Sequence, residues 1–264
     1  MARISVTDLA QLKKEKIPWV MLTCYDATMA RIFDEAEISA LLVGDSAATV
    51  IYGYSDTVPI TVEERLTLVA AVARGSKNAL VVADLPFGSY QTSSEQALET
   101  ATKFIKSGAN AVKLEGGQRV SKQVETLVEA GIAVMGHIGL TPQSINAIGG
   151  YRVQGRGEER ERILQDAKAL EAAGAFAVVL EVMPEMLASE ITQHLSIPTI
   201  GIGAGPNTDA QVLVWQDLLG LTPEPAPKFV KRYANLAEEI SQAVKKFRFD
   251  VRNKNYPDQS HWYQ

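Results

Sequence analysis

Asp45 in LLVGDS, Asp84 in LVVADLP and Glu115 in AVKLEGG each close a run of small and branched apolar residues. That is how a strand buried on both faces reads. Neighbouring strands of a parallel sheet lie about 4.8 Å apart, so carboxylates ending three consecutive strands converge on one place. At ~6 Å and an effective dielectric near 20, each pair repels by roughly 3 kcal/mol. A hard divalent cation such as Mg2+ offsets that repulsion and takes oxygen ligands. Asp45, Asp84 and Glu115 therefore form the candidate metal site.

Period two decides which side chains share a face of a strand. It pairs Val43 with Asp45, Val82 with Asp84, Lys113 with Glu115 and Val179 with Glu181. One acidic residue at a strand end also suits a helix cap or a loop ion pair. Four of them, with Lys113 inside a strand, are harder to place that way, because buried charges must be paired or bind a metal. Lys113 is either a structural bridge to Glu115 or Asp84 or a fixed positive charge for an anionic substrate. Glu181 lies well around the sheet from the other acids, a better position for a general base than for a fourth ligand. His137, ending VMGHIGL, is either a hydrogen-bonded structural residue or a donor to a substrate carboxylate or oxyanion. Ser46 is a turn cap or a hydroxyl beside the metal. Cys24 lacks a base partner and reads as a packed small side chain. His194 and His261 read as solvent-facing. GIGAG at Gly201–Gly205 has neither the Lys-Ser/Thr of a P-loop nor dinucleotide spacing, and reads as backbone that permits close ligand approach.

The elements that must position these residues alternate along the chain. The sequence predicts strands at Trp19–Asp26, Ala40–Ser46, Ala79–Pro86, Ala111–Gly116, Ala133–Leu140, Ala175–Val182, Thr199–Gly205 and Val212–Asp217. Thr61-x-x-Glu64 and Ser93-x-x-Gln96 open helices of apolar period, stopped by Gly75 and Gly108. A third helix carries Ile163, Leu164, Ala167 and Leu170 and stops at Gly174, and Pro184 begins a fourth at its first position. Asn235-x-x-Glu238 starts the last, with Leu236, Ile240, Val244 and Phe247 in register. Repeated units such as SGANAVKLE and AAGAFAVVLE suggest a (β/α)8 barrel, with an open doubly wound sheet as the alternative. No linker interrupts the pattern, so one α/β domain over 1–264 is expected. A helix at Thr7–Lys16, within about 1–17, would close the barrel bottom, and about 254–264 would form a tail. The crossover after the seventh strand, from Pro206, is too short for a full helix. The Gly-rich stretch 141–157 suggests an active-site loop.

The 264 residues suffice for one large barrel. A hydrophobic share of 46% and a charged share of 22% are ordinary for a globular enzyme. The net charge of −5 leaves no cationic excess for phosphates, which argues against a general nucleic-acid binder. A single cysteine excludes an internal disulfide and fits a reducing compartment. The N-terminus lacks a signal-peptide core and no long apolar run exists, so no membrane association and a cytoplasmic location are expected.

Taken together, TCYD (Thr23–Asp26), LLVGDS (Leu41–Ser46), ADLPFGSY (Ala83–Tyr90), AVKLEGG (Ala111–Gly117), GHIGLTPQS (Gly136–Ser144), GGYRVQGR (Gly149–Arg156), IPTIGIGAG (Ile197–Gly205) and PKFVKRY (Pro227–Tyr233) resemble the ketopantoate hydroxymethyltransferase family. GHIGLTPQS with GGYRVQGR is highly specific. The segment AATVIYGYSDT after Ser46 departs from the commoner LGM-type start. The resemblance implies a barrel of the phosphoenolpyruvate/pyruvate-binding type. It implies Mg2+ at Asp45, Asp84 and Glu115, the last acting directly or through water. It implies 2-oxo acid contacts from Asp45, Ser46, Asp84 and Lys113, a site role for His137, and Glu181 as proton acceptor. It implies 5,10-methylenetetrahydrofolate as cosubstrate, transfer to 3-methyl-2-oxobutanoate in pantothenate synthesis, and a homo-oligomer, often a decamer. Two other readings keep the barrel: a Mg2+-dependent C–C or P–C lyase of the phosphoenolpyruvate mutase/isocitrate lyase type, and a noncatalytic ligand-binding barrel.

Overall fold

Eight strands pair in chain order, each parallel to the next: Trp19–Thr23 (β1), Ala40–Val43 (β2), Leu80–Asp84 (β3), Ala111–Glu115 (β4), Val134–Gly139 (β5), Ala177–Glu181 (β6), Thr199–Ile202 (β7) and Ala210–Leu213 (β8). β8 returns to β1, with Met21 opposite Val212, and so closes a barrel rather than an open sheet. This computed structural model describes residues 3–223 and 225–263. The chain divides into two compact units, Met1–Val214 and Trp215–Gln264.

The first unit is the (β/α)8 barrel. Its interior is filled by alternate residues of the strands, among them Met21, Leu42, Val82, Met135, Val179, Ile200 and Val212. Helix α1 (Val6–Glu15) adds Leu9 to this cluster at the N-terminal ends of the strands, backed by Ile4, Val6 and Leu12. Fully burying such a leucine contributes about 2 kcal/mol. A capping box, Ser5 with Asp8, fixes where α1 begins. The outer layer comprises α2 (Ala27–Glu35), α3 (Ala47–Val50), α4 (Val62–Gly75), α5 (Ser94–Lys106), α6 (Ser121–Glu129), α7 (Ile145–Ile148), α8 (Glu159–Ala172) and α9 (Glu185–His194). The Thr61/Glu64 capping box opens α4, and the Ser93 hydroxyl accepts from the Gln96 amide to open α5. Pro184 precedes α9 instead of filling its first position. No helix intervenes at 203–209 between β7 and β8.

The eighth strand is displaced from its expected place. Val212–Asp217 was the apolar run, but pairing occupies Ala210–Leu213, and Trp215–Leu218 turns as helix α10. Hydropathy cannot separate a short strand from an apolar helical turn that follows it directly.

The second unit contains α10 and α11 (Leu236–Arg252). Backbone bonds from Tyr233 and Leu236 to the carbonyls of Leu218 and Leu219 tie its connecting segment back to α10. The stripe of Leu236, Ile240, Val244 and Phe247 does fall on one face of α11, yet no residue of that helix is buried. Among the described residues no helix is long and apolar enough to cross a membrane.

Candidate active site

The alternation that fills the barrel with apolar groups also carries charge to its C-terminal mouth. One step of two residues leads from Val82 to Asp84, from Met135 to His137 and from Val179 to Glu181. Ala111 leads in the same way to Lys113 and Glu115. The strand register then sets Asp84 beside Lys113 and Glu115 beside His137. Asp84, Lys113, Glu115 and His137 are all buried, as is Asp45. Catalytic groups of barrel enzymes sit at this end.

Strand two corrects the expected phase. Leu42, not Val43, faces the interior, so Asp45 is not an inward residue of β2. It lies beyond the strand, in the turn entering α3, and its backbone N–H donates to Asp84 Oδ2 at 3.1 Å. The turn brings it to the cluster where period two could not.

The contacts form a chain across the mouth. Lys113 Nζ donates to Asp84 Oδ2 at 2.8 Å and lies 3.2 Å from His137 Nδ1. That imidazole nitrogen is 3.5 Å from Glu115 Oε1, while Nε2 is 3.1 Å from Glu181 Oε2, close but outside hydrogen-bond alignment. Glu181 ends the chain, with 16% of its side chain exposed. The Ser46 and Tyr25 hydroxyls share a hydrogen bond of 2.7 Å on the Asp45 side. Gly139 faces Glu181 across the β5–β6 ladder with φ +92°. A Cβ there would lie 2.2 Å from the Glu181 carbonyl oxygen, so only glycine permits this approach.

Four participants were not among the expected site residues. Tyr25 is the hydroxyl partner of Ser46. Arg65 of α4 is fully buried; its Nη1 donates to the carbonyls of Val43 and Asp84 and lies 4.0 Å from Asp84 Oδ2. Its place in the buried stripe with Val69 and Val72 was the available clue, a charge at core spacing. Gln143, in the expected active-site loop, donates its backbone N–H to Glu115 Oε2 at 3.1 Å and its amide to the Leu85 carbonyl at 2.9 Å. The Tyr90 hydroxyl bonds to Gln143 Oε1 and to the Glu115 backbone. Glu115 is thus fixed from a loop and a neighbouring turn.

Burial and neighbouring charge compete at each group. Burial pushes the Asp45 carboxyl up, and Glu115 pushes it further, against the pull of Lys113 and Arg65. Asp84 is also raised by burial and by Asp45, with Lys113 opposing. Burial opposes the charge on Lys113, but Asp84, Glu115 and Asp45 outweigh it and raise the ammonium pKa. Burial and Lys113 both disfavour a charged His137, yet the Glu115 and Glu181 carboxylates prevail and hold it up at about 9. The two carboxylates thus favour the charged form of the imidazole. Burial lifts the Cys24 thiol to about 12, so it is no nucleophile. His194 and His261 are exposed. Gly201 and Gly205 of GIGAG pack closely on Thr208, Gln211 and Glu185 of this chain.

Three buried carboxylate oxygens, Asp45 Oδ2, Asp84 Oδ1 and Glu115 Oε1, have no hydrogen-bond partner. Each such group costs about 1–3 kcal/mol. A divalent cation is the partner this donor set suits. Among the described residues no three carboxylate, imidazole or thiol side chains are arranged to hold one ion jointly. Direct ligation by all three acids is thus not what the side chains present.

Residues 3–259 match the model of the family described as ketopantoate hydroxymethyltransferase. The chain belongs to the ketopantoate hydroxymethyltransferase family. It is similar to the 3-methyl-2-oxobutanoate hydroxymethyltransferase of Thermobifida fusca, at 61% identity over 99% of this chain and 94% of that one. The enzyme of the same description from Acidothermus cellulolyticus is 59% identical, over 99% and 97%. As a member of this family the chain is a hydroxymethyltransferase, not a lyase or a noncatalytic barrel. Its fold is shared with a phosphonopyruvate hydrolase solved with oxalate and Mg2+ (TM-score 0.64, 11% identity, covering 100% and 92%). It is shared also with a phosphoenolpyruvate phosphomutase of Streptomyces platensis (TM-score 0.64, 16% identity, 98% and 92%).

Proposed function

We propose that this ketopantoate hydroxymethyltransferase family member transfers a hydroxymethyl group from 5,10-methylenetetrahydrofolate to 3-methyl-2-oxobutanoate, in a Mg2+-dependent step of pantothenate synthesis. The observation that carries the site assignment is the group of three buried carboxylate oxygens without a hydrogen bond, beside Lys113 at the barrel mouth. Asp45 and Asp84 would hold the metal directly, and Glu115, braced by Gln143, would support it through water. When bound, the ion supplies positive charge that polarises the 2-oxo group and acidifies the C3 proton.

The remaining work falls to the chain's own residues. Ser46, Asp84 and Lys113 receive the 2-oxo acid, and Lys113 keeps a fixed positive charge beside the oxygen on which negative charge develops. Glu181 takes the C3 proton. His137 Nε2 stands 3.1 Å from one of its carboxylate oxygens, and the other is left for the substrate. The opening at Glu181 lets the proton return to solvent. Overall, C3 loses a proton and bonds to the one-carbon unit, whose two C–N bonds break. One water supplies the hydroxyl oxygen and the remaining hydrogens, and tetrahydrofolate leaves with 2-dehydropantoate.

The test is a Mg2+ titration with 3-methyl-2-oxobutanoate present, followed by addition of methylenetetrahydrofolate. Formation of 2-dehydropantoate, dependent on both additions, is the expected result. Product formation undiminished by a chelator overturns the metal assignment.

A further inference from the structure

A cavity of about 460 Å³ opens against the outer side of the catalytic cluster, with Glu115, Tyr90 and Gln143 forming the shared wall. Nothing in the proposed chemistry of the 2-oxo acid uses its far side. There Phe87, on the turn after β3, presents a half-exposed ring. Asn146 makes no hydrogen bond among the described residues, and Gln91 uses its oxygen on the Gly88 N–H, leaving its amide nitrogen free. A second cavity of about 330 Å³ adjoins the first at Arg119, Ser144 and Ala147 and is edged by Arg162. The Arg119 guanidinium is engaged by the Ser144 hydroxyl at 2.9 Å, whereas no ion pair of Arg162 is present among the described residues.

We infer that the first cavity is the seat of the one-carbon donor's heteroaromatic head and that the second takes its anionic tail. This rests on the functional reading above. An exposed aromatic ring offers a stacking face to a planar aminopyrimidinone ring. Primary amides offer paired donors and acceptors to the edge of an aminopyrimidinone ring. A guanidinium suits a carboxylate tail. The volume of the first cavity lies within the range of small-molecule sites. The shared wall of Glu115 and Gln143 places the head next to the acid's reacting carbon, so the donor approaches from the β3 and β5 loops while Glu181 works from the β6 side.

The test uses the full-length enzyme with Mg2+ in Phe87→Ala, Asn146→Ala and Arg162→Gln forms. Three readouts are needed: deuterium exchange at C3 of 3-methyl-2-oxobutanoate without folate, KM for methylenetetrahydrofolate, and binding of tetrahydrofolate and of 6-methyltetrahydropterin. Phe87→Ala is expected to raise the donor KM about tenfold, the size of one lost stacking contact, with exchange within about twofold of wild type. Asn146→Ala should act in the same direction. Arg162→Gln should weaken tetrahydrofolate about fivefold and leave the tailless pterin unchanged, as expected for one exposed charge pair. Unchanged donor KM and tetrahydrofolate affinity in Phe87→Ala and Asn146→Ala, with exchange intact, overturn the donor site and leave the acceptor reading standing. Absence of exchange and of transfer in the wild-type enzyme overturns the functional reading and the donor site with it.

Discussion

Glu181 and His137 divide the labour of one proton. The Glu181 side chain opens to the mouth while His137 Nε2 stands 3.1 Å from one of its oxygens. Glu181→Gln keeps the shape and removes the base. It should lower C3–H exchange by at least about 100-fold and change substrate affinity little. Exchange at the wild-type rate in that variant sinks the assignment. His137 gives a pH signature of its own. Its folded pKa of about 9 stands above the ordinary 6.5. Its charged form therefore adds stability that is complete below pH ~6.5 and lost as pH rises through ~9, on the order of 3 kcal/mol. Melting curves from pH 6 to 9.5 should show wild type losing more than His137→Gln, and parallel profiles would count against the network. At this scale period two was enough to find Asp84, Lys113, Glu115 and Glu181, because they sit inside or at the end of strands. It misphased Asp45, which reaches the cluster through a turn. It gave no view of Gln143 or Tyr90, whose direction depends on loop geometry that local pattern does not encode.

Elements hold this mouth through a few anchoring contacts between layers. Asp34 of α2 is buried and accepts hydrogen bonds from the backbone of Asn78 and Ala79 and from the Ser76 hydroxyl. It thereby ties α2 to the turn entering β3. Burial opposes its charge, but those donors prevail and hold its carboxyl down at about 2 from 3.8. A depressed carboxylate stabilises above its unfolded pKa, and the contribution disappears as pH falls from ~4 through ~2. Asp34→Asn should cost about 1–2 kcal/mol at pH 7, the lower figure allowing for screening near the surface. Urea titrations at pH 7 and near pH 2.5 check this, and a pH-independent difference refutes it. The strands that such contacts support were legible where a two-sided apolar run ended in a charge. β8 was not, because its short pairing segment merges into the apolar turn of α10. The starts of α4 and α5 were read correctly from their caps, since capping residues act within one turn, whereas Pro184 proved to precede α9.

For the barrel as a whole, the cluster is a site of stored repulsion. Asp45 carries a buried, unpartnered oxygen and a carboxyl raised first by burial and then by Glu115. Removing its charge should help the metal-free fold and harm the metal-loaded one. In chelator, Asp45→Asn is expected to be more stable than wild type by about 1–3 kcal/mol, the relief of a buried negative charge facing Glu115. With Mg2+ at ~100 times its dissociation constant, binding adds about 2.7 kcal/mol to the wild-type fold. For a chain of this length that is a rise in Tm of about 5–10 °C. The variant should lose most of that rise. Thermal melts in EDTA and in Mg2+ measure both effects on the same sample, and their opposite signs separate a metal ligand from a merely structural acid. A structural Asp45 would lower stability in both conditions when replaced and leave the Mg2+ increment intact. A ligand gives the reverse pattern, because the same oxygen that has no partner in the protein is the one the ion neutralises.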